Sequence, residues 1–183
     1  MSAVPRHLLT ADEFAALPHA GLRTELIRGE ISAMPPAFDD HGEVAGSLAV
    51  LLGQFVRANG LGRLYAAETG FLVAEQPDTV RAPDLAFTRA ERVPPRGAPG
   101  WVRAMPDLVA EVVSSGDRPS EIGEKVRMWL DAGVRLVWVV YPTQRIVEVW
   151  RPAEPVLVLH EHDQLDGYDV VPGFTCPVEQ IFA

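Results

Sequence analysis

The sequence predicts an α/β fold: one mixed central sheet flanked by helices, with an N-terminal hairpin and added antiparallel strands at the C-terminal end. Three observations predict it. Two amphipathic stretches, from His41 to about Asn59 and from about Ser120 to Ala132, carry apolar residues at helical spacing. Three short, almost wholly apolar runs, at 80–87, 108–113 and 134–140, have the composition of strands covered on both faces. Helices and strands alternate along the chain, which calls for a sheet with helices on its faces.

The first element is a short helix. Thr10-Ala-Asp-Glu13 is a capping box, and Leu9 and Phe14 stand where a hydrophobic staple closes the same turn, so a helix starts near Ala11 and stops by Pro18. Residues 24–34 read as a β-hairpin with Gly29 at the turn position that needs positive φ. Pro35 and Pro36 end it. The next helix has Val44, Leu48, Leu51, Leu52 and Phe55 on one face and Asn59-Gly60 as its left-handed cap. Leu61 to Glu75 reads as one strand, bent at Gly70.

Gln76-Pro-Asp-Thr then turns into a strand that holds Asp84. Residues 89–105 are rich in Pro and Gly and predict an irregular loop, of a length usually tied to function or mobility. Leu108–Val113 is a buried strand interrupted only by Glu111, and the helix from Ser120 follows the turn Ser114-Ser-Gly-Asp117. Val134–Val140 is the next buried strand. Arg145–Trp150 and Pro155–His160 read as antiparallel strands, Asp166-Gly167 as a turn, and Val178–Phe182 as a short terminal segment. With no internal repeat and no shift in composition, residues 1–183 are expected to form one domain.

Composition narrows the function. The single cysteine, Cys176, excludes an internal disulfide and a multi-cysteine zinc site, which suits a reducing cytoplasm. No stretch approaches the roughly 18 apolar residues of a membrane span, and Met1 to His7 lacks a signal-peptide core, so a cytoplasmic protein with no membrane partner is expected. A formal charge of −9 opposes nucleic-acid binding, which draws on phosphate contacts. Segment 89–106 runs the other way, with Arg89, Arg92, Arg96 and Arg103 against Glu91 alone. It is the candidate nucleic-acid contact.

Two carboxylates in apolar strands, Asp84 and Glu111, require protonation, pairing or a metal, because an isolated buried charge is costly. Lys125, on the helix that follows, offers an amine at the edge of the stripe formed by Ile122, Val126, Trp129 and Leu130. Its ordinary role would be to lie over Trp129 or pair with Glu121. His41 is either a capping or surface histidine or a contact to phosphate, substrate or metal; Glu25 is either a plain surface or paired carboxylate or a neighbour of the metal. Asp107 repeats the Pro-Asp pattern, but four strand residues put it about 13 Å from Glu111, too far to share an ion. His160 and His162 lack a third ligand and read as a solvated edge.

A strand ending in Pro-Asp followed by a strand centred on Glu resembles the nucleases of the PD-(D/E)XK superfamily. The chain is similar to one branch, the Uma-two family of restriction-endonuclease-like proteins. The similarity is carried by Glu25-Leu-Ile-Arg-Gly-Glu30, His41, Ala82-Pro-Asp84, Pro106-Asp-Leu-Val-Ala-Glu111-Val-Val-Ser114, Glu121-Ile-Gly-Glu-Lys125, Ala132-Gly-Val134, Trp138-Val-Val-Tyr-Pro142 and Pro172-Gly-Phe174. The resemblance implies a magnesium-dependent endonuclease, with manganese as a substitute, acting on DNA as a homodimer. Asp84 and Glu111 would hold the metal, Lys125 would complete the catalytic set, and Glu25, His41 and Glu121 would support metal or substrate. The departure lies at Val113, where the superfamily places its strand lysine; in this family a lysine on the following helix takes over. The same fold used without catalysis, for protein interaction or assembly, is the competing reading.

Overall fold

The computed structural model describes residues 7–18, 23–97 and 99–183. Its centre is a six-stranded mixed sheet built from β3 (Gly62–Ala66), β6 (Leu85–Arg89), β7 (Leu108–Val112), β8 (Leu136–Tyr141), β9 (Ile146–Trp150) and β10 (Leu157–Leu159). The order across it is β10-β9-β8-β7-β6-β3, and β7 and β8 are its parallel pair. Parallel neighbours need a crossover, and helix α3 (Pro119–Asp131) supplies it.

Strand alternation divides the core between the two faces. Leu108, Ala110 and Val112 of β7 point into one cluster with Val44, Leu48, Leu52 and Val56 of helix α2 (Asp39–Ala58). Val109 points the other way, toward Val126 and Trp129 of α3. Glu111 shares Val109's parity, so it alone is a charged β7 side chain on the α3 face. Residue pairing explains the depth of burial: β7 is central, and all five of its residues are buried.

A second, four-stranded antiparallel sheet lies beside the first in the order β2-β1-β5-β4: β1 (Arg23–Ile27), β2 (Glu30–Met34), β4 (Phe71–Ala74) and β5 (Thr79–Arg81). The expected hairpin is β1 and β2, turned by Arg28 (φ 52) and Gly29 (φ 80). The first helix, α1 (Ala11–Ala16), has the expected capping box, and Phe14 packs with Leu26, Leu72 and Val80 of this sheet. Helix α2 ends as expected: Gly60 takes φ 63, and the amides of Gly60 and Leu61 donate to the carbonyls of Arg57 and Val56. It begins two residues before His41, with Asp39 and Asp40 in a first turn that favours negative charge.

Several expectations need correction. Residues 61–75 form two strands in different sheets: β3 pairs with β6 and β4 with β5. The break falls at Gly70, which packs so closely on Trp101 that a Cβ would lie 2.4 Å from its ring. Asp84 is likewise not inside a strand. It follows β5, after Ala82-Pro83, at the corner where the chain leaves the small sheet for the large one. Proline has no amide to donate to a ladder, so pairing stops there.

Nor is 89–105 irregular throughout. Ala90–Arg92 is a 3-10 turn, and Val102 bridges to Phe71, its amide donating to the Gly70 carbonyl and its carbonyl accepting from the Leu72 amide, both at 2.9 Å. Trp101 stacks on Phe14 at 5.3 Å and donates to the Ala11 carbonyl at 2.8 Å. At the C-terminal end β11 (Gln164–Asp166) pairs with β12 (Thr175–Pro177), and residues 178–182 form a 3-10 helix. Cys176 is free and buried, and burial pushes its thiol up to about 11. Among the described residues no helix is long and apolar enough to cross a membrane.

Asp107 is structural. Its carboxylate accepts from the Arg89 amide at 2.9 Å and pairs with Arg92, and it is almost fully buried. Asp107→Ala would leave a buried amide unsatisfied, so a loss of about 1–3 kcal/mol is expected. Denaturant unfolding checks this; an unchanged midpoint would mean that water replaces the carboxylate.

Candidate active site

Three elements converge where β7 and β8 end and α3 begins, the end of a parallel pair at which open α/β sheets commonly bind ligands. Asp84 arrives from the sheet corner. The β6–β7 ladder pairs Leu85 with Ala110, so one step further sets Asp84 across from Glu111 on the same face. Helix α3 crosses this face with Lys125 at its margin, while α2 enters with His41 in its first turn.

Asp84 is held by three donors. His41 Nε2 lies 3.1 Å from Oδ2, the Val112 amide donates to the same oxygen at 2.9 Å, and Arg23 Nη2 lies 3.4 Å from Oδ1. Burial pushes the Asp84 carboxyl up, but the hydrogen bond and charge of His41, the Val112 amide and Arg23 outweigh it and hold the group below its ordinary 3.8. The hydrogen bond to Asp84 raises His41 above its ordinary 6.5 against the opposing effect of its own burial. The pair is therefore an ion pair in mildly acidic solution.

Glu111 has different surroundings. Trp129 Nε1 donates to Oε1 at 2.8 Å, and Lys125 Nζ lies 3.6 Å from Oε2. Desolvation raises the Glu111 carboxyl above its ordinary 4.5; Lys125 and Trp129 oppose the rise, and the charge of Asp84 adds to it. Lys125 is raised in turn, chiefly by Glu111. Two neighbouring carboxylates are thus driven apart in acidity, a pattern common at functional sites.

The groups surround a cavity of about 210 Å³ whose walls include Arg23, His41, Asp84, Glu111 and Lys125. Glu25 also lines it, but as a paired carboxylate: it accepts from the Ala82 amide at 2.9 Å and from Arg81 at 3.1 Å. His41 is neither a helix cap nor a surface residue, since its buried ring holds Asp84. Lys125 pairs with Glu111 instead of Glu121. Glu121 lies away from the cavity, exposed at the start of α3, where it accepts from the Arg118 amide at 3.4 Å. Helix geometry explains this, because a carboxylate in the first turn is favoured at the helix N-terminus.

The arginine segment is not brought to the cavity. Arg89 donates to the carbonyls of Asp169 and Val170, Arg92 pairs with Asp107, and Arg103 pairs with Glu75 at 2.9 Å. Arg96 is exposed at a turn. Arg89 ends β6 and Arg92 follows it, at the far end of that strand from Asp84. Their charge, conspicuous in the sequence, is largely answered by neighbouring acids and carbonyls.

Four participants escaped the sequence reading: Arg23, Arg81, Trp129 and the Val112 amide. One signal was present. Arg23 and Glu25 alternate on one face of a short strand, placing two charges on the same side.

The His41–Asp84 pair makes a pH prediction. Asp84, with its lowered value, contributes stability above its ordinary 3.8 and loses it as pH falls through the folded value. His41, with its raised value, contributes below its ordinary 6.5 and loses it as pH rises through the folded value. The melting-temperature gap between wild type and His41→Gln is therefore expected to be widest between about pH 4 and 6.5 and to narrow on both sides. A gap independent of pH would show that His41 stays neutral.

Comparison with known proteins agrees with this architecture. A family model named Uma2 and described as "Putative restriction endonuclease" matches residues 11–179. No curated protein matches the chain. Among solved structures, one described as "a putative nuclease belonging to DUF820 from Anabaena variabilis" superposes with a TM-score of 0.81. It is 20% identical, and the match covers 95% of this chain and 97% of that one. The likeness establishes a shared fold, the restriction-endonuclease-like α/β arrangement.

Proposed function

The chain belongs to the Uma2 family, and from that premise we propose that the cavity hydrolyses phosphodiester bonds of DNA with a divalent cation, magnesium or manganese in its place, held by Asp84 and Glu111. The observation that carries this reading is the position of Lys125, 3.6 Å from Glu111 and delivered by α3. It returns to the site the amine that Val113 cannot supply.

The donor set suits such an ion. Two carboxylates face one cavity, and magnesium needs only one or two of them because it retains several waters. Among the described residues no group of three or more His, Cys, Asp or Glu is arranged around a metal, so the cation would draw on this pair and its own waters. The raised pKa of Glu111 supports the fit, since a cation beside it would offset both the burial that disfavours its charge and the repulsion that Asp84 adds. When bound, the cation would act as a Lewis acid toward the phosphoryl oxygens.

The remaining work falls to the chain. Lys125 orients the attacking water and offsets charge that develops on the phosphoryl group. Trp129 fixes the rotamer of Glu111 through Oε1 and leaves Oε2 to Lys125. His41 and the Val112 amide keep Asp84 ionised and oriented, as outer partners of metal ligands commonly do. Arg23 stands where it can shift from Asp84 to a phosphate.

A manganese titration by calorimetry, run beside cleavage of a mixed DNA substrate, tests the proposal. Binding with cleavage is expected. The second reading, a noncatalytic role in protein interaction or assembly, is favoured by Asp84 already receiving His41, Arg23 and the Val112 amide. Absence of manganese binding would decide for it.

A further inference from the structure

We infer that the cavity takes an unpaired nucleotide, its base stacked on Phe38 and its phosphate facing Arg23 and Lys125, so that single strands or frayed ends are preferred to intact duplex. The inference rests on the nuclease reading above and adds a substrate class to it. Phe38 is 64% exposed, while the other six phenylalanines are buried or half-buried. An aromatic ring is normally drawn into a core because few side chains bury more apolar area. Phe38 is kept out of the core, yet it lines the same cavity as the carboxylates.

The cavity has two unlike parts. The apolar part is one continuous segment, Pro35 to Phe38, and the charged part carries both signs, Arg23 and Lys125 beside Glu25, Asp84, Glu111 and Asp117. A nucleotide has the same division, with a flat π-face at one end and an anion at the other. Consecutive prolines fix φ and stiffen the approach to α2, so the ring is presented with little left to order on binding. Phe38 is the N-cap of α2, His41 follows three residues later in its first turn, and both line the cavity. His41 in turn holds Asp84, which sets the ring within a nucleotide's reach of the reacting groups.

Two cations remain open to a phosphate, because Asp84 is answered by His41 and the Val112 amide and Glu25 by Arg81. The side chains of Arg23 and Lys125 are 22% and 30% exposed, open enough to meet a phosphate; Arg81 is 8% exposed and locked on Glu25. Asp39 and Asp40 in the first turn of α2 repel an anion from that helix end and leave it to Arg23 and Lys125. At about 210 Å³ the cavity is smaller than the roughly 300–1,000 Å³ of common ligand pockets, so it encloses only part of a nucleotide and leaves the base to the exposed ring of Phe38. Bases inside a duplex are already stacked and offer Phe38 no free face, whereas unpaired bases do.

The test is fluorescence anisotropy of the full chain with a short labelled oligothymidylate and with a duplex of equal length, without added metal. The single strand is expected to bind more tightly. Phe38→Ala should weaken its binding by about 5-fold to 150-fold, the loss of one base stack, with duplex binding and melting temperature unchanged. Phe38→Trp should restore it. An oligouridylate should lose affinity by a similar factor, since the ring reads the base and not the sugar. In manganese-supported cleavage, Phe38→Ala should raise KM and hold kcat. If wild type binds and cuts duplex as well as single strands and Phe38→Ala changes neither, the inference is overturned while the nuclease reading stands. If no nucleic acid is bound or cut, both fall.

Discussion

Lys125→Met is expected to lower manganese-supported DNA cleavage about 100-fold to 1,000-fold, the usual effect of removing one preorganised electrostatic donor. Methionine keeps most of the apolar stem and deletes the ammonium, so packing at the margin of α3 should survive, while metal-free stability should fall because Glu111 is left buried without its ionic partner. Lys125 is half-buried, and its nearest ionic partner is Glu111 at 3.6 Å. Removing a positive charge from beside a cation ligand should leave manganese affinity equal or tighter. The informative result is this split, with cleavage lost and metal retained. Equal cleavage by wild type and Lys125→Met would make Lys125 a partner of Glu111 and nothing more, and the chemistry would need another amine.

Asp84→Asn should abolish both cleavage and the manganese-induced rise in melting temperature. A ligand bound only by the native state adds about 2.7 kcal/mol at 100 times its Kd. At about 2–4 °C per kcal/mol for a chain of this size, that is roughly 5–11 °C for wild type. In the absence of metal the same substitution should lower stability. From the two carboxylates alone, relief of like-charge repulsion would be anticipated, but the neighbours of Asp84 are His41, Arg23 and the Val112 amide. Asparagine answers them less well, at a cost on the order of 1–3 kcal/mol. Scanning calorimetry of both proteins with and without manganese measures the two effects. Equal responses to manganese would place the ion elsewhere.

These predictions separate roles that one cavity brings together. Loss of metal stabilisation reports on Asp84 and Glu111, loss of rate at full metal occupancy reports on Lys125, and a rise in KM alone reports on Phe38. The pH dependence of His41→Gln reports on the ion pair that keeps Asp84 charged.

The sequence by itself determined the elements whose signals are local. The capping box at Thr10 and Glu13, the turn at Gly29, the α2 stripe of Val44, Leu48 and Leu52, and the apolar runs of β7 and β8 all appear where periodicity and turn chemistry put them. It also picked out Asp84 and Glu111, because a carboxylate set among apolar residues is visible one residue at a time, while Lys125 was picked out by the family resemblance, an amine at the edge of a helix stripe being ordinarily a surface residue. Only the tertiary structure decided what each charge meets. His41 reaches Asp84 across 43 residues and Arg23 across 61, and no local pattern encodes such a pairing. The same is true of the arginines at 89, 92 and 103, a basic segment in one dimension and a set of occupied donors in three. The run from Leu61 to Glu75 was apolar enough for one strand, and its division between two sheets depended on a distant ring, Trp101, filling the space at Gly70. Burial and hydrophobic periodicity are properties of a segment, whereas the state of a buried charge is set by whichever groups the fold packs against it.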